Sequence, residues 1–145
     1  MAEHESQDLA ERVAEAMIQT DGVVRHLGLE VTGMAPGRAT VQMTVRAEML
    51  NGFRTCHGGY LTVLADTAFA YACNTGNECT VASGLSIDFV APAREGDRLS
   101  AEAQRVSEAG RTGVYDVTVR NAAGDTVAVF RGRSYRLKGR PVIPA

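Results

Sequence analysis

The stretch HGGYLTVLADTAFAYACN, residues 57–74, is the longest apolar run in the chain and decides the fold. Its apolar side chains recur at spacings of three and four, the period of a helix packed on a core; they are Leu61, Leu64, Ala65, Ala68, Phe69 and Ala72. Other apolar residues cover the opposite side, so this helix must be buried on several sides. One carboxylate, Asp66, two threonines and a Gly-Gly pair make the run too polar to span a bilayer. We therefore expect a central helix inside a soluble core.

The composition indicates one domain and excludes several classes of partner. A length of 145 residues suits a single core, so we expect one domain over residues 1–145, with a helical extension over 1–23. The net charge of −2 and the dispersed basic residues predict no nucleic-acid or membrane partner. The acidic, polar start of the chain does not resemble a signal peptide, which predicts a cytoplasmic protein. Three cysteines without paired spacing predict free thiols and no metal; they are Cys56, Cys73 and Cys79.

The segments before the central run predict a helix and a β-hairpin. Residues 8–19 place apolar side chains on one helical stripe with charges opposite, and Asp21-Gly22 ends this helix. The next segment alternates and is broken by Pro36-Gly37, so we expect strands at about 28–34 and 38–47.

Four long strands are predicted after the central helix, at residues 80–90, 98–108, 112–121 and 125–137. The turns between them are of the short kind that joins antiparallel neighbours in hairpins. One buried helix beside about six antiparallel strands predicts an α+β fold in which the sheet curls around the helix. A single sheet covers only one side of that helix, so we expect the N-terminal segment or, preferably, a second protomer to cover the rest.

Six short motifs point to a known family: MLNG, CHGGYL, LADTAFAYACN, SIDFVAP, TGVYDV and VFRGRS. With the order of elements, they resemble the hotdog-fold acyl-CoA thioesterases over residues 24–138, and look most like the PaaI group associated with phenylacetate catabolism. The HGG motif recurs in many hotdog proteins, whereas the run from Asn51 to Asn74 is far more specific. The resemblance implies hydrolysis of phenylacetyl-CoA, its ring-hydroxylated forms or a related aromatic acyl-CoA. It also implies a homotetramer without a cofactor.

The same resemblance implies roles for four residues. Asn51 and His57 would orient the site. The backbone N–H of Gly58 would polarise the thioester carbonyl, and Asp66 would be the catalytic carboxylate.

Asp66 is also unusual on chemical grounds alone. An ionised carboxylate among apolar side chains is costly unless it is hydrogen-bonded, paired, protonated or used in a reaction. One interpretation is a buried carboxylate held by a backbone amide or an arginine. The other is a catalytic group that deprotonates water or attacks a thioester carbon itself, and the sequence does not separate these two routes.

The start of the central helix offers an oxyanion site. Gly58 and Gly59 leave the first backbone N–H groups accessible, at the positive end of the helix dipole; the same glycines also permit a tight turn and close packing. Asp66 follows Gly58 by eight residues, about 12 Å along one helix. If both groups act on one thioester carbonyl, they must come from different copies of the chain. This geometry predicts a symmetric homodimer with shared active sites.

The remaining candidates near the helix each have a second interpretation. We interpret His57 as a helix-start residue bonded to the chain rather than as a proton carrier. Asn51 is either a turn residue or a holder of His57 or water. Thr67 and Ser83 either position water or are ordinary helix and strand residues. Cys56 beside His57 resembles a nucleophilic pair, but adjacent residues at a loop-to-helix junction usually point apart.

The substrate itself is an acyl-CoA in this interpretation, and further residues are candidates to contact it. Gly59, Thr67 and Ser83 lie beside the predicted site. Arg131 and Arg133 alternate onto one face of the last strand, where they would meet the phosphates of coenzyme A or form a solvated strand face.

Two other functions are compatible with a hotdog fold. An acyl-CoA hydratase usually needs an Asp and His pair near one carbon, but the C-terminal strands carry no second histidine. A non-catalytic acyl-CoA-binding regulatory module usually carries a DNA-binding helix pair, whereas residues 1–25 predict one acidic helix.

Overall fold

The computed structural model describes residues 6–144, in which α-helices and β-strands follow the predicted order with one addition. The helices are α1 (Gln7–Thr20), α2 (Gly22–Leu27) and α3 (Gly58–Cys73), and a short 3-10 turn covers Ala47–Met49. No helix within residues 6–144 is long and apolar enough to cross a membrane.

The strands form one antiparallel sheet. They are β1 (Glu30–Ala35), β2 (Arg38–Thr44), β3 (Thr80–Phe89), β4 (Arg98–Ala109), β5 (Thr112–Arg120) and β6 (Thr126–Arg136). Their order across the sheet is β1-β2-β4-β5-β6-β3, so β1 and β3 are the edges. The predicted β1–β2 hairpin is confirmed, and so are the predicted antiparallel hairpins that join β4 to β5 and β5 to β6.

Helix α3 packs on all six strands, which confirms the predicted α+β hotdog fold. Phe69 is a fully buried residue of this contact, with its ring 5.6 Å from that of Tyr115 and 5.8 Å from that of Phe130. Gly132 of β6 lies directly below the Phe69 ring, because a Cβ there would be 2.7 Å from a ring carbon. The absence of a side chain at position 132 therefore lets the Phe69 ring pack directly on the backbone of β6.

Helix α2 was not predicted, because Asp21-Gly22 was interpreted only as the end of α1. Asp21 does end α1, but its Oδ1 also accepts a hydrogen bond from the N–H of Val24 and so starts α2. Its Oδ2 accepts a hydrogen bond from the hydroxyl of Tyr71 on α3 at 3.0 Å. One carboxylate thus joins both N-terminal helices to the central helix, and β1 begins only at Glu30.

The connection between β3 and β4 is not a hairpin, which corrects the prediction of hairpin turns throughout this half of the chain. β3 pairs with β6, whereas β4 pairs with β2 and β5. Residues 90–97 therefore cross between strands that are not neighbours. Within this connection, the Ala93 carbonyl accepts a hydrogen bond from the N–H of Cys56 at 2.7 Å. This bond holds the connection against the loop before α3.

Strand β3 is a long edge with little protection. It has ten residues, and its second edge is unpaired within residues 6–144. Exposed apolar side chains lie along it and just beyond its end; they are Val81, Leu85, Phe89 and Val90. Long apolar edges of this kind pair with other strands unless they are blocked.

Candidate active site

The N-terminus of α3 presents a free backbone donor. His57 is the N-cap residue, and its Nδ1 accepts a hydrogen bond from the N–H of Gly59 at 3.0 Å. The N–H of His57 itself donates to the Met49 carbonyl at 2.8 Å. The Gly58 N–H, first in the helix, finds no acceptor within residues 6–144. Such a donor, at the positive end of a helix, can stabilise an oxyanion.

Asn51 organises the loop that leads into the helix. Its Oδ1 accepts from the N–H of Phe53 at 2.9 Å and from that of Thr55 at 3.2 Å, and its Nδ2 donates to the Thr55 hydroxyl at 3.0 Å. The amide therefore bonds within its own turn and not to His57. A role for Asn51 toward water or substrate stays a prediction.

A cavity of about 620 Å³ opens in front of the Gly58 donor, which we call the helix-start cavity. Asn51, His57, Gly58 and Gly59 all line it, together with residues at the end of β3. The Phe89 ring lies so close to Gly58 that an added Cβ would be 2.8 Å from its Cζ. Glycine at position 58 thus allows an aromatic wall beside the free N–H. Nothing in the SIDFVAP motif singled out Phe89 for this position.

Asp66 lies in a second cavity, of about 470 Å³, which we call the acid cavity. Its walls are mainly apolar and include Phe69, Ala70 and Val81. No hydrogen bond or ion pair joins the Asp66 carboxylate to any group in residues 6–144, and its burial raises its pKa. The interpretation of Asp66 as a carboxylate held by an amide or an arginine therefore finds no such partner in this part of the chain.

The helix-start cavity and the acid cavity have no lining residue in common. Helix α3 is continuous from Gly58 to Cys73, so the eight-residue separation corresponds to about 12 Å along its axis. Within one chain, the Gly58 N–H and the Asp66 carboxylate therefore face different spaces.

Two predicted water-positioning hydroxyls already have backbone acceptors. Thr67 is buried and donates to the Val63 carbonyl of its own helix at 2.7 Å. Ser83 lies where the β3–β6 register shifts, and its hydroxyl donates to the Arg133 carbonyl at 3.1 Å. Neither residue lines the helix-start cavity or the acid cavity.

The two candidate arginines lie on the face of β6 that points away from α3. Arg131 forms a two-point ion pair with Asp116, with N–O distances of 2.7 and 2.9 Å, and this pairing lowers the pKa of Asp116. The Arg133 guanidinium lies over Gly84. Because neither side chain lines the helix-start or the acid cavity, contact with coenzyme A phosphates stays a prediction for both.

The cysteines do not form a reactive pair with histidine. The Cys56 thiol points at the backbone carbonyl of His57, at 3.7 Å, while the His57 ring caps the helix. Burial raises the pKa of Cys56 to about 11 and is the main cause that raises the pKa of Cys73 to about 12, so both are thiols at neutral pH. Residues 6–144 contain no cluster of three or more potential metal-binding side chains.

Comparison with known proteins supports the same family as the motifs. The sequence profile of the Thioesterase superfamily matches residues 53–128. The acyl-coenzyme A thioesterase PaaI of Escherichia coli K12 is 49% identical over 126 residues, which are 87% of this chain and 90% of the relative.

Two solved structures share the fold of this chain. The E. coli PaaI protein from the phenylacetic acid degradation operon superposes with a TM-score of 0.91 at 47% identity, covering 92% of this chain and 97% of its own. A mutant of the phenylacetic acid degradation protein PaaI from Thermus thermophilus gives a TM-score of 0.78 at 42% identity, covering 81% and 100%. The chain therefore belongs to the thioesterase superfamily, as a PaaI-like member with the hotdog fold.

Proposed function

We propose that this enzyme hydrolyses acyl-CoA thioesters to a free acid and coenzyme A, with Asp66 as the catalytic carboxylate. The observation that carries the proposal is an unpartnered carboxylate in an apolar cavity. Buried polar groups that serve only the fold are normally hydrogen-bonded. Desolvation without a partner makes a carboxylate a stronger base, which suits proton abstraction near neutral pH.

The chemistry has two forms that use the same two groups. In the first, Asp66 takes a proton from water, the hydroxide attacks the thioester carbon, and the departing thiolate of coenzyme A recovers the proton. In the second, an Asp66 oxygen attacks the carbon and expels the thiolate, and water then hydrolyses the mixed anhydride. In both forms the carbonyl oxygen becomes negative and is stabilised by the Gly58 N–H.

A homodimer would complete the site. The donor and the carboxylate face different cavities within one chain, so we place Gly58 of one protomer opposite Asp66 of the partner subunit. The unpaired edge of β3 supports this assembly, because it is long and apolar and ends at Phe89, against Gly58. Antiparallel pairing of two β3 strands would give two equivalent sites. The homotetramer implied by the resemblance would join two such dimers.

An aromatic acyl group is the substrate class that we favour. The two PaaI structures come from proteins named for phenylacetic acid degradation. The acid cavity, at about 470 Å³, is also large enough for a ring, since an apolar cavity of roughly 150 Å³ can bind benzene.

Release of free thiol from phenylacetyl-CoA tests the activity directly. The wild-type protein should release it, and Asp66→Asn should reduce kcat/KM by about 10²-fold or more, the usual contribution of a general base. Asp125→Asn is the matched control, because it makes the same change at an exposed turn residue that lines neither cavity, and it should retain activity. A folded Asp66→Asn variant with wild-type rates would remove Asp66 from the mechanism.

Mixing two inactive variants tests the shared site. Asp66→Asn and Gly58→Pro chains, refolded together, would form hybrid dimers in which one site keeps both native groups. Random pairing should restore about one quarter of wild-type activity. If each site were built within one chain, every site in the mixture would carry a defect and activity would not return.

A further inference from the structure

The acid cavity is lined by residues from both ends of the described chain. Met17 of α1 lines it on one side, and Pro141 and Val142 line it from the segment after β6. These residues lie far from Asp66 in sequence, and they belong to the segments outside the family resemblance. The fold brings them together around this carboxylate.

The segment after β6 is held in place by a defined set of hydrogen bonds. The Asn77 side chain makes two of them to Ile143, accepting from its N–H at 2.8 Å and donating to its carbonyl at 3.1 Å. The backbone of Cys79 makes two more, one to Leu137 and one to Arg140. Residues 137–143 therefore fold back onto the loop after α3, which places Pro141 and Val142 at the cavity.

Helix α1 is also fixed against the body of the protein. Val13 on its inner face is fully buried, and Tyr71 bonds to Asp21 directly after its last turn. At its first turn, the Gln7 amide donates to the Met34 carbonyl at 2.6 Å. Met17 therefore lies at the acid cavity on a helix that is anchored at both ends.

The cavity is suited to an apolar group attached to the reacting carbonyl. The Asn74 amide, which also lines it, is bonded to Ala70 and to both backbone groups of Thr80. The Thr80 hydroxyl donates to the Glu78 carbonyl. Asp66 is therefore the one carboxylate, amide or hydroxyl side chain of the cavity that lacks a partner within residues 6–144.

We propose that Met17, Pro141 and Val142 form the end wall of the acyl pocket and set the length of the acyl group that can reach Asp66. This inference rests on the proposed thioesterase activity and concerns the selectivity of that activity for acyl length. The wall limits how far an acyl chain extends beyond the carbonyl, while the chemistry at Asp66 is unchanged.

The test is a series of thioesters of increasing length, namely phenylacetyl-CoA, 3-phenylpropanoyl-CoA and 4-phenylbutanoyl-CoA, with thiol release as the readout. Val142→Ala and Met17→Ala remove side-chain atoms from the wall and so make the pocket longer. Each should raise the kcat/KM ratio of the longest to the shortest thioester by about 10-fold or more. Val142→Phe places a larger side chain in the wall, which makes the pocket shorter, and it should lower the same ratio by a similar factor. Because the variants change two positions and make the pocket either longer or shorter, the test still decides if one variant does not fold.

Two further variants separate the wall from general effects on the segment. Asn77 has a φ of 62°, a conformation that glycine adopts freely, so Asn77→Gly removes both bonds to Ile143 without backbone strain. It should release the segment and broaden the length profile. Lys138→Ala, at a residue of the same segment that does not line the cavity, should leave the profile unchanged.

The outcomes distinguish the two proposals. A wild-type enzyme that hydrolyses the series, with the same length profile in the Val142 and Met17 variants, would overturn the end wall and leave the thioesterase intact. A folded wild-type protein that releases no thiol from any acyl-CoA would overturn the proposed function and the end wall with it.

Discussion

The helix-start cavity and the acid cavity are built in different ways. In the first, the donor is the backbone N–H of Gly58, and side chains only determine what surrounds it. In the second, the proposed reactive group is the Asp66 side chain, within walls that come from α1, α3, the start of β3 and the segment after β6. Among the standard residues only proline removes a backbone N–H, whereas any substitution other than glutamate removes the carboxylate of an aspartate. The chemical contribution of the two cavities can therefore be separated by variants that delete each group and little else.

Among the changes at the helix-start cavity, removal of the Gly58 N–H should have the largest effect on catalysis. Proline is well tolerated at the first helical position, and the extended backbone of His57, with φ −60° and ψ 135°, is compatible with a following proline. Gly58→Pro should lower kcat by about 10²- to 10³-fold, the usual loss for one oxyanion donor. Steady-state hydrolysis of phenylacetyl-CoA measures it.

Gly58→Ala is the matched control for this variant. It introduces a Cβ near the Phe89 ring but keeps the N–H, so any loss it shows reports crowding. Phe89→Ala in the same chain should relieve that crowding. If Gly58→Ala and Gly58→Pro lost equal activity, the donor would have no special role.

Lowering the pH should reduce the activity by protonating Asp66 in the acid cavity. In the proposed mechanism the ionised form of Asp66 is the base or nucleophile, so kcat/KM should fall about tenfold per pH unit below its pKa. Burial raises that pKa, so the fall should begin above the ordinary value of 3.8. The loss of thioester absorbance over a pH series, with circular dichroism as a check on folding, gives the profile. An acid limb centred at or below 3.8 would contradict the buried environment.

His57 should affect stability more than chemistry. His57→Ala removes the cap on the Gly59 N–H and should lower the free energy of unfolding by about 1 kcal/mol. Asparagine is a good N-cap residue, so His57→Asn should retain most of this stability. Urea denaturation compares the variants. A large loss of kcat in a stable His57→Asn variant would instead assign His57 a direct part in the reaction.

The smallest expected effect is a gain in stability from Asp66→Asn. Because the pKa of Asp66 is raised in the folded state, folding favours the protonated acid, and this preference is lost as the pH rises through the folded-state pKa. The asparagine variant avoids that loss and should melt at a higher temperature at neutral pH. The difference should disappear in acid, where the native aspartate is protonated. An unchanged or lower melting temperature at neutral pH would indicate that the carboxylate has a stabilising partner.

The sequence predicted the elements whose signals are local. An apolar run with a single carboxylate and a Gly-Gly start was enough to locate α3, Asp66 and Gly58. Helix α2 was missed because Asp21 ends one helix and begins the next, and both functions use the same residue type. The path from β3 to β4 was missed because a short turn-rich segment does not reveal which strands it joins.

The walls of the acid cavity were beyond sequence reasoning for a related reason. Met17 and Val142 are ordinary apolar residues in their own segments, and only the folded chain brings them to Asp66. Phe89 is similar, since its contact with Gly58 joins residues about thirty positions apart. Local patterns point to the candidate reactive groups, while the surfaces that line a cavity arise from contacts distant in sequence.

The hydrogen bond between Tyr71 and Asp21 has an evolutionary consequence. Both carboxylate oxygens of Asp21 are occupied, one by the Val24 N–H and one by the Tyr71 hydroxyl. An asparagine at position 21 would keep only one acceptor, and a phenylalanine at position 71 would leave one oxygen unused. Among homologues with this N-terminal helix, positions 21 and 71 should therefore covary.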